Sequence, residues 1–328
     1  MNVFYFSSDL FANVAATSMV SLMENNKSFD YIHFYMIDDG IKEDTKKQIV
    51  DMVQNYNREI DFIPAPDPCE LFRYPFKDRY QMGHSYVRMG IGSLLPKSID
   101  RVLCLDSDTL ILGNLSELWN MNMENNILAG VIDCMNLKAY HKQFGLSGNE
   151  FYCNAGMFLV DLKKWRKCKI EEKIIDIIQK KEGNIFFFEQ TLMNYCCRGK
   201  IAKLHPKYNT YTLFYAFDYK NLIRWRQPTF FYSKDETSEA TKAPIIVHLT
   251  RNFYMTSRPW VENCDHPLTD TYIEYKRKTP WTQLNKDNRP ISQIIKYRIW
   301  HCIPQWILCT LASIVYNEIR PKMWWKNE

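Results

Sequence analysis

Ten cysteines are present, yet no two stand in a CxxC spacing and none falls into a framework pattern. Several, such as Cys104 and Cys134, lie inside apolar runs, where a free thiol packs as a small hydrophobe. This excludes a cysteine zinc site and a disulfide scaffold, and a reducing compartment is expected. Lysine- and arginine-rich blocks are missing from the first 280 residues, and the net charge is only +5 over 328 residues. A dedicated nucleic-acid binder is thereby excluded. The start, Met-Asn-Val-Phe-Tyr-Phe-Ser-Ser-Asp, lacks a basic stretch and a long apolar segment. No signal peptide or N-terminal membrane anchor is therefore expected, and the expected compartment is the cytoplasm. Repeats and low-complexity linkers are absent as well. What the chain has in quantity is aromatic residues, 15% of the whole, within a hydrophobic fraction of 46%. That suffices for one large α/β core, and aromatic rings with a polar tip also suit sugar or membrane surfaces.

The first hundred residues alternate strand-like and helix-like patterns. Val3–Ser7 reads as a strand, Val14–Met23 as an amphipathic helix and Tyr31–Ile37 as a second strand. Lys42–Tyr56 reads as a helix with Ile49, Val53 and Tyr56 on one face, and Ile60–Ile63 as a third strand. Strands separated by helices of this length predict βαβ units and a mainly parallel sheet. A helix over Ser85–Leu95, stopped by Pro96, leads into a fourth strand, Arg101–Leu105. Further strands are predicted at Ile127–Ile132, Gly156–Val160 and Pro244–Leu249, and helices at Lys173–Gln179 and Glu189–Cys196.

The densest chemistry follows the fourth strand, in Asp106-Ser-Asp108. Two carboxylates one residue apart share a face of an extended backbone, or fan around a point if the chain turns. Anionic oxygens converging where a buried strand meets solvent suit a divalent metal that also takes phosphate oxygens and water. Open α/β sheets bind ligands beyond the carboxyl ends of their strands, and the first strand also ends in a carboxylate, at Ser7-Ser8-Asp9. Asp-x-Asp occurs in solvated loops too, so the company it keeps decides.

Tyr152-Cys-Asn154-Ala155-Gly156 reads as a small-residue turn into a strand. It is either an ordinary turn or a place where backbone and an amide meet a ligand. Glu189-Gln190 open an apolar helix, as a favourable N-terminal charge or as a carboxylate and amide facing a cleft. His248 closes the strand Ile245–Val247, as a hydrogen-bonded core residue or as a ligand. Arg251 and Arg258 follow, cations able to clamp phosphate. Arg88, on a core-facing helix, needs a partner, and Asp106 and Glu189 are the candidates.

Taken in series, these residues resemble glycosyltransferase family 8 over roughly residues 1–260. The motifs are Phe6-Ser-Ser-Asp9, Tyr86-Val-Arg88, Arg101-Val-Leu-Cys-Leu-Asp106-Ser-Asp108, Leu115-Ser-Glu-Leu-Trp119, Phe151-Tyr-Cys-Asn154-Ala-Gly156, Glu189-Gln190, and His248 with Arg258-Pro-Trp260. The family includes bacterial lipopolysaccharide galactosyl- and glucosyltransferases and is related to glycogenin. The resemblance implies an α/β GT-A fold, a Rossmann-like mixed central sheet flanked by helices. It implies a retaining hexosyltransferase that moves galactose or glucose from a UDP-sugar to a hydroxyl of a glycan or lipid-linked glycan acceptor. The product would be an α linkage in lipopolysaccharide, capsule or another surface polysaccharide.

Carried over position by position, Asp106, Asp108 and His248 would hold Mn²⁺, or Mg²⁺, against the diphosphate. Phe6, Ser7, Ser8, Asp9, Phe11, Ser107 and Arg258 would bind the nucleotide together with Asp106. Arg88, Asn154, Ala155, Gly156, Glu189 and Gln190 would line the donor sugar, with Gln190 and Glu189 catalytic. The chain departs from the family in three places. Ser8-Asp9 replaces an acidic pair, and Glu189-Gln190 stands for Asp-Gln, one methylene longer. The loop from His248 to Trp260 is longer, has no glycine, and carries Arg258 in place of a lysine.

Residues 1–262 are expected to form the catalytic domain, its nucleotide-sugar half at about 1–110 and its acceptor half at about 111–262. Residues 263–289 would connect it to a helical appendage at 290–328. The apolar stretch Trp306–Tyr316 is shorter than the roughly 20 residues that span a bilayer. Around it, Lys296, Arg298, Arg320, Lys322 and Lys326 mingle with Trp300, Trp306, Trp324 and Trp325. That pattern suits a helix on an anionic membrane surface, the inner face of the cytoplasmic membrane, or else a helical pair packed back on the domain. Two other functions compete. A metal phosphohydrolase uses Asp-x-Asp but has no need for Asn-Ala-Gly with Glu-Gln. A non-catalytic sugar-nucleotide-binding scaffold of a membrane polysaccharide complex needs the same binding residues without the chemistry.

Overall fold

The apolar runs near the start of the chain become neighbours in one sheet. In the computed structural model, which describes residues 1–76, 84–141, 145 and 150–325, the first strands are β1 (Asn2–Ser8), β2 (His33–Asp39), β3 (Glu59–Pro64) and β4 (Arg101–Leu105). β1 pairs in parallel with β2 on one edge and β4 on the other, and β2 pairs in parallel with β3. β1 alternates faces. Val3 and Tyr5 enter the layer packed by the helix Asp9–Asn25, with Ala15, Ala16 and Met19, while Phe4 enters the opposite layer with Tyr86, Trp165 and Ile174. Burial on both faces is what a parallel sheet requires, and each enclosed Val, Leu, Ile or Phe contributes roughly 1.5–3 kcal/mol.

Strands β1 to β4 pair in parallel as the βαβ pattern predicts, and beyond β4 the sheet becomes mixed, as the family resemblance implies. β7 (Cys153–Asp161) runs antiparallel to both β4 and β6 (Leu128–Ile132), and β8 (Ile201–Lys203) is parallel to β6. The order is β3-β2-β1-β4-β7-β6-β8. Chain order therefore reverses between β1 and β4, and the carboxyl ends of β1, β4 and β6 emerge at one edge, beside the start of β7. β5 (Thr109–Ile111), β9 (Thr210–Tyr211) and β10 (Ile246–His248) form a second sheet in the order β5-β10-β9. The backbone leaves the large sheet after Leu105 and enters the small one at Thr109. Asp106-Ser-Asp108 is the corner between them.

Three local readings change. The first helix begins at Asp9, directly after β1, and not at Val14; Leu10 and Phe11 in its first turn are exposed and stand outside the buried stripe by which the helix is read. The helix over Ser85–Leu95 is broken into His84–Val87, a 3₁₀ turn Arg88–Gly90, and Ile91–Leu94. Gly92 permits the close approach there: a Cβ would lie 2.8 Å from Trp165 Cδ1 and 2.7 Å from a Glu171 carboxylate oxygen. The segment Tyr152–Gly156 is not a turn, since Cys153 to Gly156 lie within β7. Its pairing with β6 is irregular between Gly130 and Ile132, and side chains of the helix Phe188–Cys196 bond its backbone, as described below.

The last helices are Ile291–Cys302 and Gln305–Ile314, the second continuing through a π-helical turn, Val315–Ile319, into Arg320–Trp325. The helix Ile291–Cys302 lies at 114° to the segment Gln305–Met323, and no single helix among the described residues is long and apolar enough to cross a membrane. Leu308, Cys309, Tyr316 and Asn317 are buried, and Gln305 and Asn317 hydrogen-bond the helix Tyr219–Arg226 and the residues just before it. Trp306, Leu311 and Val315 face outward. Lys326 and the side chains of Trp324 and Trp325 lie outside the described residues.

Candidate active site

Backbone bonds lock the corner in place. The Asp106 N–H donates to the Gly156 carbonyl of β7 at 2.9 Å, and the Leu249 N–H, just past β10, donates to the Asp108 carbonyl at 2.9 Å. Three strands so converge on one point. His248 Nε2 lies 3.1 Å from Asp108 Oδ1 and 3.4 Å from Asp106 Oδ2, and one ligand atom from each of the three residues falls within 4.8 Å of the others. Gly156 makes room for this, because a Cβ there would overlap the His248 ring at Nδ1. Nδ1 has no hydrogen-bond partner among the described residues, and Nε2 is the nitrogen that faces the carboxylates. Two carboxylates and a ring nitrogen are a donor set that fits Mn²⁺ or Mg²⁺.

Each carboxylate also has an arginine. Arg88 pairs with Asp106, and Arg258 Nη1 lies 2.8 Å from Asp108 Oδ2. Burial alone would raise the Asp108 carboxyl, but His248 and Arg258 outweigh it and hold it below its ordinary value. Burial alone would lower the His248 imidazole, but Asp108 and Asp106 outweigh it and raise it.

Arg88 joins the corner to the wall beside it. Its Nη2 donates to the Ala155 carbonyl at 3.0 Å, and its Nη1 lies 3.9 Å from Glu189 Oε1. Both partners expected for this arginine are thus present. Glu189 follows two aromatic residues in the left-handed region, Phe187 at φ +59° and Phe188 at φ +47°, a conformation bulky side chains rarely adopt outside functional sites. Burial pushes the Glu189 carboxyl up to about 7, with Arg88 opposing and Asp106 reinforcing the shift.

Gln190 is fixed at both ends of its amide. Oε1 accepts from the Ala155 N–H at 3.0 Å, and Nε2 donates to Asp133 Oδ2 at 3.0 Å. Asn154 Nδ2 donates to the same Asp133 oxygen at 3.2 Å, while its Oδ1 accepts from the Gly156 N–H and from Asn209 Nδ2, both at 2.9 Å. Asn194 holds β7 from the same helix as Gln190: it accepts from the Cys153 N–H at 2.7 Å and donates to the Cys153 carbonyl at 2.8 Å.

The residues expected to hold a nucleotide are less tightly gathered. Ser107 Oγ donates to the Phe6 carbonyl at 3.1 Å, tying the end of β1 to the corner, and Ser7 is buried. Ser8 precedes the first helix without a side-chain capping bond. Asp9 accepts from the Lys42 N–H at 3.1 Å and from Thr45 Oγ1 at 2.9 Å, so its carboxylate faces the start of the next helix and not the corner. Phe11 is 39% exposed and lines an open cleft with Arg251, Arg258, Trp260, Lys286 and Arg289.

Asp133, Asn194 and Asn209 escape the sequence reading. Asp133 carries the same signal as Asp106, a carboxylate directly after an apolar strand, Ile127–Ile132. Asn194 and Asn209 carry none, because their bonds join segments far apart in the chain.

Comparison with known proteins gives the family and the fold. The profile described as Glycosyl transferase family 8 matches residues 2–264. The chain is 26% identical over 296 residues to General stress protein A of Bacillus subtilis (strain 168), spanning 89% of this chain and 98% of that protein. It is 25% identical over 334 residues to Lipopolysaccharide 1,2-glucosyltransferase of Escherichia coli (strain K12), spanning 96% and 90%. The crystal structure of the galactosyltransferase LgtC in complex with donor and acceptor sugar analogs is similar at a TM-score of 0.69 and 21% identity, covering 90% of this chain and 100% of that one. That likeness is one of fold, the GT-A fold.

Proposed function

Because the chain belongs to Glycosyl transferase family 8, we propose that it is a metal-dependent, retaining hexosyltransferase. It moves galactose or glucose from a UDP-sugar to a hydroxyl of a surface-glycan acceptor. The observation that carries this reading is one abutment. The Asp106–Asp108–His248 cluster is joined through Arg88, which pairs with Asp106 and donates to the Ala155 carbonyl, to the stretch of β7 whose backbone N–H groups the Asn154 and Gln190 amides hold.

Asp106, Asp108 and His248 would hold Mn²⁺, with Mg²⁺ second because a ring nitrogen suits it less. When bound, the ion supplies Lewis-acid neutralisation of the charge that grows on the leaving diphosphate. Arg258 adds positive charge at the same corner. Ser107, Phe6, Ser7, Ser8, Asp9 and Phe11 serve the nucleotide. Arg88, Asn154, Ala155, Gly156, Glu189 and Gln190 serve the hexose.

In the transfer, the bond from the anomeric carbon to the UDP oxygen breaks and the acceptor oxygen bonds to that carbon on the same face. The acceptor proton passes to the departing phosphate oxygen. A route through two displacements needs a nucleophile on the opposite face of the sugar. Burial raises the Glu189 carboxyl and so favours its neutral form, which is a poor nucleophile, and Gln190 Oε1 already accepts a hydrogen bond. Both facts favour the front-face route, and a sugar adduct trapped on Glu189 in a mass spectrum would overturn it.

The test is the purified protein with Mn²⁺ and a panel of UDP-sugars, scored by hydrolysis. Chelator-sensitive release of galactose or glucose is expected. Binding without turnover for every sugar would replace this reading with a sugar-nucleotide-binding scaffold. The acceptor would be met at an anionic membrane surface on the cytoplasmic side. Exposed Ile291, Ile295, Ile299 and Trp306 beside Lys296, Arg298, Arg320 and Lys322 support that part.

A further inference from the structure

We propose that Arg226 and Tyr316 are positioning residues for the amides of Gln190 and Asn154, acting through Asp133, so that the C-terminal helices form part of the donor-sugar wall. The inference rests on the hexosyltransferase reading, since the sugar is what those amides would orient.

One oxygen of Asp133 accepts from both amides, Gln190 at 3.0 Å and Asn154 at 3.2 Å. A carboxylate this enclosed needs a counter-charge. Arg226 supplies it from the end of the helix Tyr219–Arg226, with Nη2 3.4 Å from the other oxygen of Asp133. Arg226 is itself held in place, its Nε donating to the Cys134 carbonyl at 2.5 Å and its guanidinium lying 4.0 Å from the centre of the Tyr316 ring. A planar guanidinium on an aromatic face is a favourable and directional contact.

Tyr316 comes from the π-helical turn Val315–Ile319 and is anchored in turn. Its hydroxyl donates to Met135 Sδ at 3.2 Å, its carbonyl accepts from the Tyr140 hydroxyl, and the adjoining Asn317 donates to the Trp225 carbonyl at 2.9 Å. The route from the last helices to the amides is thus continuous. Without its cation, Asp133 would turn to water. Gln190 and Asn154 would then lose the acceptor that decides which way each amide faces.

The test uses the full-length chain carrying Arg226→Met, Arg226→Lys, Tyr316→Leu or Tyr316→Phe. The readouts are UDP-hexose hydrolysis, UDP affinity and a crystal structure of the variant. Arg226→Met is expected to lower kcat about tenfold or more, with UDP affinity unchanged and the Gln190–Asp133 bond lost. Arg226→Lys restores part of the rate. Tyr316→Leu loses severalfold, whereas Tyr316→Phe, which keeps the ring, stays near the parent. If Arg226→Met does not fold, Tyr316→Leu decides by the same readouts. Unchanged kcat with both amides in place overturns the proposal. Displaced amides with unchanged hydrolysis uphold the positioning and remove Gln190 and Asn154 from the donor site.

Discussion

Glu189 lies 3.9 Å from Arg88, and burial pushes its carboxyl from 4.5 up to about 7. An acid whose folded value exceeds its unfolded value binds its proton more tightly when folded. Glu189 therefore costs no stability below about 4.5, an increasing amount as the pH rises to about 7, and a constant amount above that. At about 1.4 kcal/mol per pH unit the cost is at most about 3 kcal/mol, and solvent reaching the side chain reduces it. Glu189→Gln should then raise the Tm of the ligand-free protein at about pH 8 and leave it unchanged at about pH 4.5. Thermal unfolding at the two values checks this, and equal shifts at both would reject it. Asp108 has the opposite role, holding both His248 and Arg258. Asp108→Ala should reduce UDP-hexose hydrolysis on the order of 100-fold, and chelator should have no further effect. A variant that kept full, chelator-sensitive turnover would contradict a metal role for Asp108. Protons compete with the ion for His248, whose imidazole is raised, so Mn²⁺ affinity in the parent should weaken as the pH falls.

β7 illustrates what a neighbour's side chains can do for a strand. Asn194 bonds both backbone groups of Cys153, and Gln190 accepts from the Ala155 N–H. Asn194→Leu leaves two buried polar groups without partners, each costing about 1–3 kcal/mol. Its denaturant midpoint should fall by an amount equal to roughly 2–6 kcal/mol, and a loss below 1 kcal/mol would show that the bonds are dispensable. The same feature explains why Tyr152–Gly156 reads as a turn in the sequence: small and polar residues hide a strand whose partners come from a helix. β1, β2, β4 and the helix Glu43–Asn55 are legible to within about two residues, because each has the periodicity of its own type and local signals at its ends. Arg88 is legible as an ion-pair partner because a buried cation demands one. Asp133 carried the right local signal, a carboxylate after an apolar strand. What made it matter, two amides and Arg226, depends on pairing between distant segments that periodicity does not encode.

The last helices have two faces, and an experiment on them must separate the two. One face is built into the domain: Tyr316 covers Arg226, Gln305 reaches the Ala216 carbonyl at 2.7 Å, and Gln227 donates to Ser313 at 2.8 Å. Cutting the chain after Pro290 would therefore disturb Asp133 and the site along with any membrane contact, so a truncated protein that left vesicles would prove little. The other face belongs to the helix Ile291–Cys302, which buries none of its residues and exposes Ile291, Ile295 and Ile299. At an anionic membrane surface, as proposed above, an apolar row beside Lys296 and Arg298 would gain from both apolar burial and attraction to headgroups, about 1 kcal/mol per basic residue near the surface. Reversing that row separates the two faces. Ile295→Glu with Ile299→Glu should abolish co-flotation with anionic vesicles while leaving Tm and UDP-hexose hydrolysis in solution unchanged. Flotation undiminished in this double variant would rule out the exposed row as the membrane surface, and a lower hydrolysis rate would show that this face, too, supports the site.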